Sequence, residues 1–349
     1  MKFKTVELPL HIYIGEGVIS HILSILSDLD VQNFLLITDQ IVYEIIGRNI
    51  DENISTPHQT FFVETADMNQ VQKILDEVSN GADSVVGIGG GKVLDVSKVV
   101  AMKLNIEFIS VPTTASHDGL ASPVASFKKN GRPVSIPTNP PSAVLADLEV
   151  IKSCPIRLIR SGYGDLISNI TAVKDWQLAR DLTNEPYDEI AASLALMSAE
   201  LMLNKSHDLD FSRIPDLEML VRGLIMSGTA IALVGSSRPA SGSEHRFSHA
   251  LDYLGYGNGT HGEQVAIGTI IMEYFFEKYY DNGDWEKVKT SFSRINLPTK
   301  AKDIGLNEDQ VLQALLYAKE IRKSRFTILD AANPKKEDFI EAIKRTGIV

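Results

Sequence analysis

The first part of the chain alternates between short apolar runs and segments whose apolar residues recur with helical spacing. Each apolar run is bounded by turn or polar residues, which predicts buried strands over 34–39, 60–64, 84–88 and 107–111. Between these runs, residues 68–79 and 93–102 place their apolar side chains on one face of a helix. Strands and helices that alternate in this way predict a mostly parallel sheet with helical crossovers.

A second pattern begins after residue 120. Residues 122–127 and 133–136 flank Asn130-Gly131, a dipeptide typical of hairpin turns, and 144–147 predict a further strand. From Cys154 onward the strand signal disappears, and helices are predicted over 156–180, with interruptions at its glycines, and over 189–204, 217–234, 262–279 and 308–324. We therefore predict an α/β, Rossmann-like dinucleotide-binding domain over 1–153 and an all-helical domain over 154–349.

The charge of the chain narrows the range of partners. Its 349 residues carry a net charge of −11, which argues against a general binder of nucleic acid or anionic membranes. A local cationic pocket would still admit an anionic small molecule. Cys154 is the only cysteine in the sequence, which excludes an intrachain disulfide and a cysteine-rich zinc site and fits a reducing compartment.

No segment of the sequence has the features of a targeting or membrane-spanning element. The N-terminus lacks the long apolar core of a signal peptide. The most apolar stretch, 220–234, is shorter than a bilayer span and predicts a buried helix. We therefore expect a cytoplasmic protein without stable membrane insertion.

A glycine-rich loop is the first candidate for ligand binding. Gly89-Gly90-Gly91-Lys92 follows a predicted strand and opens a helix, where glycines admit a ligand close to the backbone and the helix N-terminus attracts phosphate. The loop matches neither the Rossmann nor the Walker pattern. It therefore predicts a pyrophosphate site, with a tight structural connection as the alternative.

Two further strands end in polar residues. The run from Thr113 to Asp118 places small hydroxyl residues where parallel sheets bind ligands. Asp39 ends an earlier strand, and its carboxylate would either accept hydrogen bonds from a ribose diol or cap the next helix. The sequence alone does not separate these two roles.

Three histidines form the second candidate site. His245 and His249 are four residues apart and share one helical face, and His261 follows sixteen residues after His245 (261 − 245). Imidazoles from two helices together with a carboxylate suit a divalent metal, and Asp165, near the start of the helical domain, is the candidate acid. The alternatives are a helix cap for the aspartate and hydrogen-bonded imidazoles for the histidines.

The ordered set of motifs resembles the superfamily of iron-containing alcohol dehydrogenase, glycerol dehydrogenase and dehydroquinate synthase. The shared segments are the glycine loop through Asp95, Thr113–Asp118, Gly164-Asp165-Leu166 and the histidine pair followed by His261-Gly-Glu263. Within this superfamily, residues 113–123 and 242–252 are similar to the archaeal-type sn-glycerol-1-phosphate dehydrogenases. The resemblance implies a dehydroquinate synthase-like fold and an NAD(P)-dependent oxidoreductase.

The resemblance implies a substrate, a metal, a cofactor and individual site residues for this chain. Members of that family use Zn²⁺ and NAD(H) or NADP(H) to reduce dihydroxyacetone phosphate to sn-glycerol 1-phosphate for archaeal phospholipid backbones, and they are usually homo-oligomers. The implied zinc ligands are Asp165, which also lines the substrate site, His245 and His261. Asp118 and His249 become substrate contacts and catalytic residues, with His249 a proton donor or relay. The implied cofactor contacts, with Asp39 added for the ribose, are Gly89, Gly90, Gly91, Lys92, Val93, Asp95, Thr113, Thr114, Ser116 and Ser122.

The sequence leaves alternatives for the phosphate-binding residues, the activity, the cofactor and the metal. The substrate phosphate needs cations, for which Arg238 and Arg246 are candidates and the hairpin residues Lys128, Lys129 and Arg132 weaker ones. A glycerol dehydrogenase would use an uncharged polyol, and a dehydroquinate synthase carries Glu where this chain has Asp165. A binding protein without catalytic activity is the remaining class. Asp39 would repel a 2′-phosphate and so hints at NAD, and nickel or iron would suit the same metal ligands.

Overall fold

Six strands form one parallel sheet in the computed structural model, which describes residues 6–79, 81–129 and 132–349. Their order is β1-β8-β5-β4-β2-β3, and an antiparallel hairpin, β6-β7, lies outside the sheet. The strands are β1 His11–Gly15, β2 Phe34–Thr38, β3 His58–Phe62, β4 Ser84–Gly89, β5 Glu107–Pro112, β6 Val124–Lys129, β7 Arg132–Pro137 and β8 Ala143–Asp147. The predicted fold class, a mostly parallel sheet followed by a helical region, is confirmed.

The helices are more numerous than the sequence pattern predicts. Short 3-10 helices and a π-helical turn, Tyr43–Gly47, accompany the α-helices. The α-helices are α1 Ile22–Asp28, α2 Gln40–Val42, α3 Arg48–Asn53, α4 Met68–Glu77, α5 Gly91–Leu104, α6 Leu148–Ser153, α7 Ile156–Thr183, α8 Glu189–Lys205, α9 Ile214–Val234, α10 Ser243–Leu254, α11 His261–Tyr280, α12 Trp285–Arg294, α13 Glu308–Ala318, α14 Ile328–Ala331 and α15 Lys336–Arg345.

The described chain divides into two compact units that differ from the two predicted domains. The first unit holds the residues up to Ile156 together with Phe211–Gly235, and the second holds Arg157–Asp210 and Ser236–Val349. Helix α9 thus belongs to the first unit, although it follows two helices of the second. Gly228 permits this packing, because a Cβ atom there would lie 2.7 Å from the backbone nitrogen of Ser122.

The sheet is buried because helices cover it. All five residues of β2 and all six of β4 are buried, which is why these strands are continuous apolar runs in the sequence. Phe34, Leu36, Val86 and Ile88 pack in one core beneath helix α1. Strand β1 was not predicted, since it lies at the sheet edge and its residues are exposed or half-buried.

Two helices of the second unit differ from the sequence prediction. Helix α7 runs unbroken through its glycines, and Gly164 serves close packing, because a Cβ atom there would lie 2.5 Å from the carbonyl oxygen of Gly262. Helix α13 ends at Ala318 rather than at residue 324. The carbonyl groups of Ala318 and Lys319 accept hydrogen bonds from the guanidinium of Arg246. Arg322 then adopts a left-handed φ of 51°, which is incompatible with a right-handed α-helix.

One helix among the described residues, α9, is long and apolar enough to cross a membrane by length and composition. More than half of its most apolar window is buried within the fold. This agrees with the prediction of a buried helix at this position, since a core helix is apolar for the same reason as a membrane span.

Candidate nucleotide and metal sites

The candidate nucleotide residues converge at one edge of the sheet. Strand β4 lies between β2 and β5, with Thr38 opposite Ile88 and Gly89 opposite Pro112. The carboxyl ends of the three strands therefore bring Asp39, Gly89–Gly91 and Thr113 together. The chain reverses direction across the sheet between β2 and β4, and such reversal points are where parallel sheets bind nucleotides.

The glycine loop gives this edge an open helix N-terminus. Helix α5 begins at Gly91, and its N-cap is Gly90, which has no side chain to offer the first amides of the helix. A Cβ atom on Gly91 would lie 2.3 Å from Nε2 of His117, and one on Gly89 would lie 2.7 Å from the side chain of Val93. Close packing thus favours glycine at positions 89 and 91, and the bare N-terminus suits a phosphate.

The other predicted cofactor contacts fall into two groups. Lys92 is exposed, and Thr113, Thr114 and Ser116 follow β5 on the same edge, where Thr113 N–H donates to the Gly89 carbonyl at 3.0 Å. Buried residues form the second group: Val93 packs in the core, and Ser122 N–H donates to the carbonyl of Asp118.

Asp95 is also buried and is engaged within the protein. Its Oδ1 lies 3.3 Å from Nζ of Lys98, and its Oδ2 accepts a hydrogen bond from Ser126 N–H at 3.0 Å. These contacts attach β6 to helix α5. Asp95 therefore has a structural role in joining the hairpin to α5, and a direct cofactor contact stays a prediction.

Asp39 caps helix α2. Its Oδ1 accepts hydrogen bonds from the N–H groups of Ile41 and Val42, both at 3.0 Å. The capping role that the sequence left open is thus present in the fold. A ribose contact stays a prediction, since capping occupies one of the two carboxylate oxygens.

Asp165, His245 and His261 come together from three helices, α7, α10 and α11. Their candidate ligand atoms all lie within 4.8 Å of one another. Oδ1 of Asp165 is 3.6 Å from Nε2 of His245 and 3.5 Å from Nε2 of His261, and the two Nε2 atoms are 3.2 Å apart. Asp165 and His245 are buried, while the His261 side chain is 36% exposed, so the cluster is open on one side.

The surroundings of the cluster fix which atom of His245 faces its centre. Oε1 of the buried Glu244 lies 2.7 Å from Nδ1 of His245 and also accepts the N–H of Gly242. A carboxylate only accepts, so Nδ1 carries a proton, and Nε2, which faces Asp165 and His261, is the atom that His245 can offer to a metal. This is the arrangement by which a carboxylate orients a histidine that binds a metal.

The electrostatics of the cluster favour a cation. Burial raises the pKa of the Asp165 carboxyl, but its bonds to the two imidazoles outweigh burial and hold that pKa well below its usual value. Burial alone would lower the pKa of His245, yet Asp165 and Glu244 raise it to about 9. Oε2 of Glu244 is buried without a hydrogen-bond partner among the described residues. Two imidazoles and a carboxylate with excess negative charge behind them fit a divalent metal.

The role of Glu244 leads to a testable prediction. Glu244→Gln should lower the affinity for Zn²⁺ about 10- to 100-fold, because the amide removes the charge that holds His245 in its tautomer. Competition with a chromophoric zinc chelator measures this affinity. Glu286→Gln, on an exposed position of α12, is the matched control and should bind zinc like the unmodified protein. Equal affinity in both variants would show that Glu244 does not orient the ligand.

His249 lies beside the cluster on the same helix. Its ring centroid is 6.4 Å from that of His245, and its Nε2 is 3.0 Å from Nη1 of Arg322. A guanidinium only donates, so His249 is neutral and carries its proton on Nδ1. Burial and then the charge of Arg322 lower the pKa of His249 well below its usual value. Asp118, in the first unit, accepts a hydrogen bond from Ser227 Oγ at 2.9 Å.

The two arginines predicted to bind phosphate are engaged elsewhere. Arg238 is buried and pairs with the carboxylate of Glu185 through Nε and Nη2, while Nη1 donates to the carbonyl of Phe326. Arg246 is fully buried and binds Asp330 and the carbonyl groups at the end of α13. Their contacts do not favour the predicted role, since a guanidinium committed to a buried carboxylate has little left for a ligand.

The structure describes the strands of the predicted hairpin but not its turn. Its two strands are present as predicted. Asn130 and Gly131, and the side chains of Lys128, Lys129 and Arg132, lie outside the described residues.

Sequence reasoning missed three residues near His245 and His249. Glu244 directly precedes His245, and a carboxylate next to a candidate ligand is a signal that could have been used. Arg322 and Arg325 belong to the basic run Arg322-Lys-Ser-Arg325. This run was not recognised as a separate segment, because the predicted helix extended to residue 324, whereas α13 ends at Ala318.

Comparison with known proteins places these features in a family. The profile described as "Iron-containing alcohol dehydrogenase" matches residues 13–155. Over 352 aligned residues, 100% of both chains, the sequence is 61% identical to "Glycerol-1-phosphate dehydrogenase [NAD(P)+]" of Archaeoglobus fulgidus. The chain belongs to the glycerol-1-phosphate dehydrogenase family. A relative of the same name from Sulfurisphaera tokodaii is 40% identical, with 100% of this chain and 99% of that protein covered.

A solved structure agrees on the fold. The probable glycerol dehydrogenase from Sinorhizobium meliloti 1021 superposes with a TM-score of 0.78, with 98% of each chain covered at 20% identity. At that identity the likeness concerns the fold alone. The family membership confirms the resemblance inferred from the ordered motifs.

Proposed function

We propose that this chain catalyses the NAD(P)H-dependent reduction of dihydroxyacetone phosphate to sn-glycerol 1-phosphate. The observation that carries the proposal is the cluster of Asp165, His245 and His261 in a chain 61% identical over its full length to a protein of that name. The cluster supports a metal-dependent reaction, with zinc as the proposed metal. We further propose that the protein acts in the cytoplasm, and by resemblance the product serves archaeal phospholipid synthesis and the active protein is a homo-oligomer.

The first unit would hold the cofactor. The open N-terminus of α5 would receive the pyrophosphate, and Asp39 would stand at the ribose. The Thr113–Ser116 segment supplies hydroxyl groups on the same edge. The bound nicotinamide supplies a hydride, so the task of these residues is to position it.

The second unit would hold the metal and act on the ketone. Asp165, His245 and His261 would bind zinc, which when bound polarises a carbonyl and stabilises negative charge on its oxygen. Hydride addition at C2 leaves the oxygen in need of one proton, which balances the reduction. His249, one helical turn from His245, would hold or deliver that proton, and Asp118 would orient a substrate hydroxyl.

The cofactor preference provides a prediction. Asp39→Asn should raise kcat/KM with NADPH relative to NADH about tenfold, because the amide no longer repels a 2′-phosphate yet still caps α2. Steady-state kinetics with both cofactors measure the ratio. Asp188→Asn, at the equivalent cap of α8, should leave it unchanged. A ratio that stays the same in Asp39→Asn would remove Asp39 from the cofactor site.

The decisive experiment is chiral analysis of the product formed from dihydroxyacetone phosphate with each cofactor. The proposal expects sn-glycerol 1-phosphate from the zinc-loaded protein. Turnover of dihydroxyacetone in preference to its phosphate would indicate a glycerol dehydrogenase instead. No turnover of either ketone would contradict an enzyme of this kind.

A further inference from the structure

The segment after helix α13 brings two arginines toward His249. Nη1 of Arg322 lies 3.0 Å from Nε2 of His249. Arg325 donates from Nη1 to the carbonyl of Ser241 at 2.5 Å and from Nη2 to Oγ of Ser237 at 2.9 Å. The Ser241 end of this contact lies just before helix α10, which carries His245 and His249, so both guanidinium groups are anchored beside the metal cluster.

The hydrogen bonds described for Arg325 go to uncharged acceptors. These acceptors belong to Ser241 and Ser237, and across the described ranges no carboxylate forms an ion pair with Arg325. Burial and then the charges of Arg322 and Arg238 lower the pKa of Arg325 to about 10, although the more distant carboxylates of Glu244 and Glu185 act in the opposite direction. A largely buried guanidinium whose acceptors are uncharged is stabilised when an anion is placed against it.

The segment is held in place rather than loose. The buried Arg246 binds the carbonyl groups of Ala318, Lys319 and Arg325 together with the carboxylate of Asp330. Arg322 keeps its left-handed φ of 51° within this frame, a conformation that non-glycine residues adopt at a cost. A rigid frame that imposes such a conformation sets the direction in which a side chain points.

Three other arginines of the second unit form ion pairs with carboxylates. Arg238 pairs with Glu185, and Arg157 pairs with Glu263. Arg246 pairs with Asp330. We propose that Arg322 and Arg325 bind the phosphate group of the substrate and so select the phosphorylated ketone. This assignment rests on the proposed function and replaces Arg238 in that role.

The chemistry of the pair suits the ligand. A guanidinium presents a planar set of donors that matches two oxygens of a phosphate, which a lysine does not. A phosphate dianion would place a negative charge in direct contact with Arg325. Arg322 also contacts His249. A phosphate group bound by Arg322 would therefore hold the reacting end of the substrate near the proposed proton donor.

The test is the preference of the zinc-loaded enzyme for the phosphorylated ketone. The measured quantity is kcat/KM for dihydroxyacetone phosphate divided by kcat/KM for dihydroxyacetone, with NADH. Arg325→Ala should lower this ratio about 10- to 100-fold, the size expected for a lost charge-assisted bond. Arg325→Lys should recover part of it. A purely structural defect lowers both rates together and leaves the ratio unchanged.

Two further measurements make the outcome decisive. Arg345→Ala, an exposed arginine on α15, is the matched control and should keep the wild-type ratio. Calorimetric titration with inorganic phosphate should show binding to the wild type that weakens at least about tenfold in Arg325→Ala and Arg322→Met.

The results separate this inference from the proposed function. If the wild type reduces dihydroxyacetone phosphate while both variants keep the ratio and the phosphate affinity, the inference is overturned and the function stands. If the wild type reduces no dihydroxyacetone phosphate, the proposed function fails. In that case phosphate binding that depends on both arginines still supports the anion site, and its absence overturns the site as well.

Discussion

His245→Ala should abolish zinc binding and lower kcat/KM for dihydroxyacetone phosphate by about 10³-fold or more. His245 supplies one of three candidate ligand atoms, and its Nε2 faces the cluster because Glu244 holds the proton on Nδ1. Two remaining ligands hold a divalent ion poorly. A lost metal removes several kcal/mol of stabilisation of the developing charge, and about 1.4 kcal/mol corresponds to a factor of ten.

Metal content by mass spectrometry and steady-state rates test this prediction together. His207→Ala is the control, because His207 is an exposed histidine in the same unit. Exhaustive chelation of the wild type should reproduce the loss of activity, and added zinc should restore it only where His245 is present. Full turnover by the metal-free protein would exclude the proposed role of the metal.

His249→Ala should keep the metal while kcat falls about 10²- to 10⁴-fold, the contribution typical of a positioned acid or base. His249 shares a helical face with His245 but belongs to no group of candidate ligands among the described residues, and its Nε2 faces Arg322. Zinc content measured beside the rate separates the two histidines. Loss of metal equal to that in His245→Ala would make His249 a ligand, and an unchanged kcat would remove it from proton transfer.

The contrast between these two variants is informative because the residues are so alike in the sequence. Both are histidines on α10, four positions apart. His245 faces two groups that favour positive charge on it, Asp165 and Glu244, whereas His249 faces a guanidinium that disfavours it. The different roles proposed for them follow from these neighbours.

Much of the fold could be predicted because its signals are local. The buried strands β2, β4 and β5 are continuous apolar runs, since helices cover both faces of a parallel sheet. The Gly89–Gly91 loop could be recognised because glycines between a strand and a helix are typical of a phosphate-binding connection. The edge strand β1 and the end of α13 could not, because an edge strand is only partly buried and the end of α13 depends on Arg246, 72 residues away from Ala318.

The sequence by itself indicated the candidate nucleotide loop, from the order of strand, glycines and helix, and the pairing of His245 with His249 on one helical face. The choice of Asp165, His245 and His261 as metal ligands came from the resemblance to a family. Only the tertiary structure decided which arginines are committed to carboxylates within the protein. Arg238 is committed to a carboxylate 53 residues earlier, and Arg246 to one 84 residues later. Charge pairing depends on distances through space, and a guanidinium has the same letter in the sequence whether its partner is a buried carboxylate or a ligand.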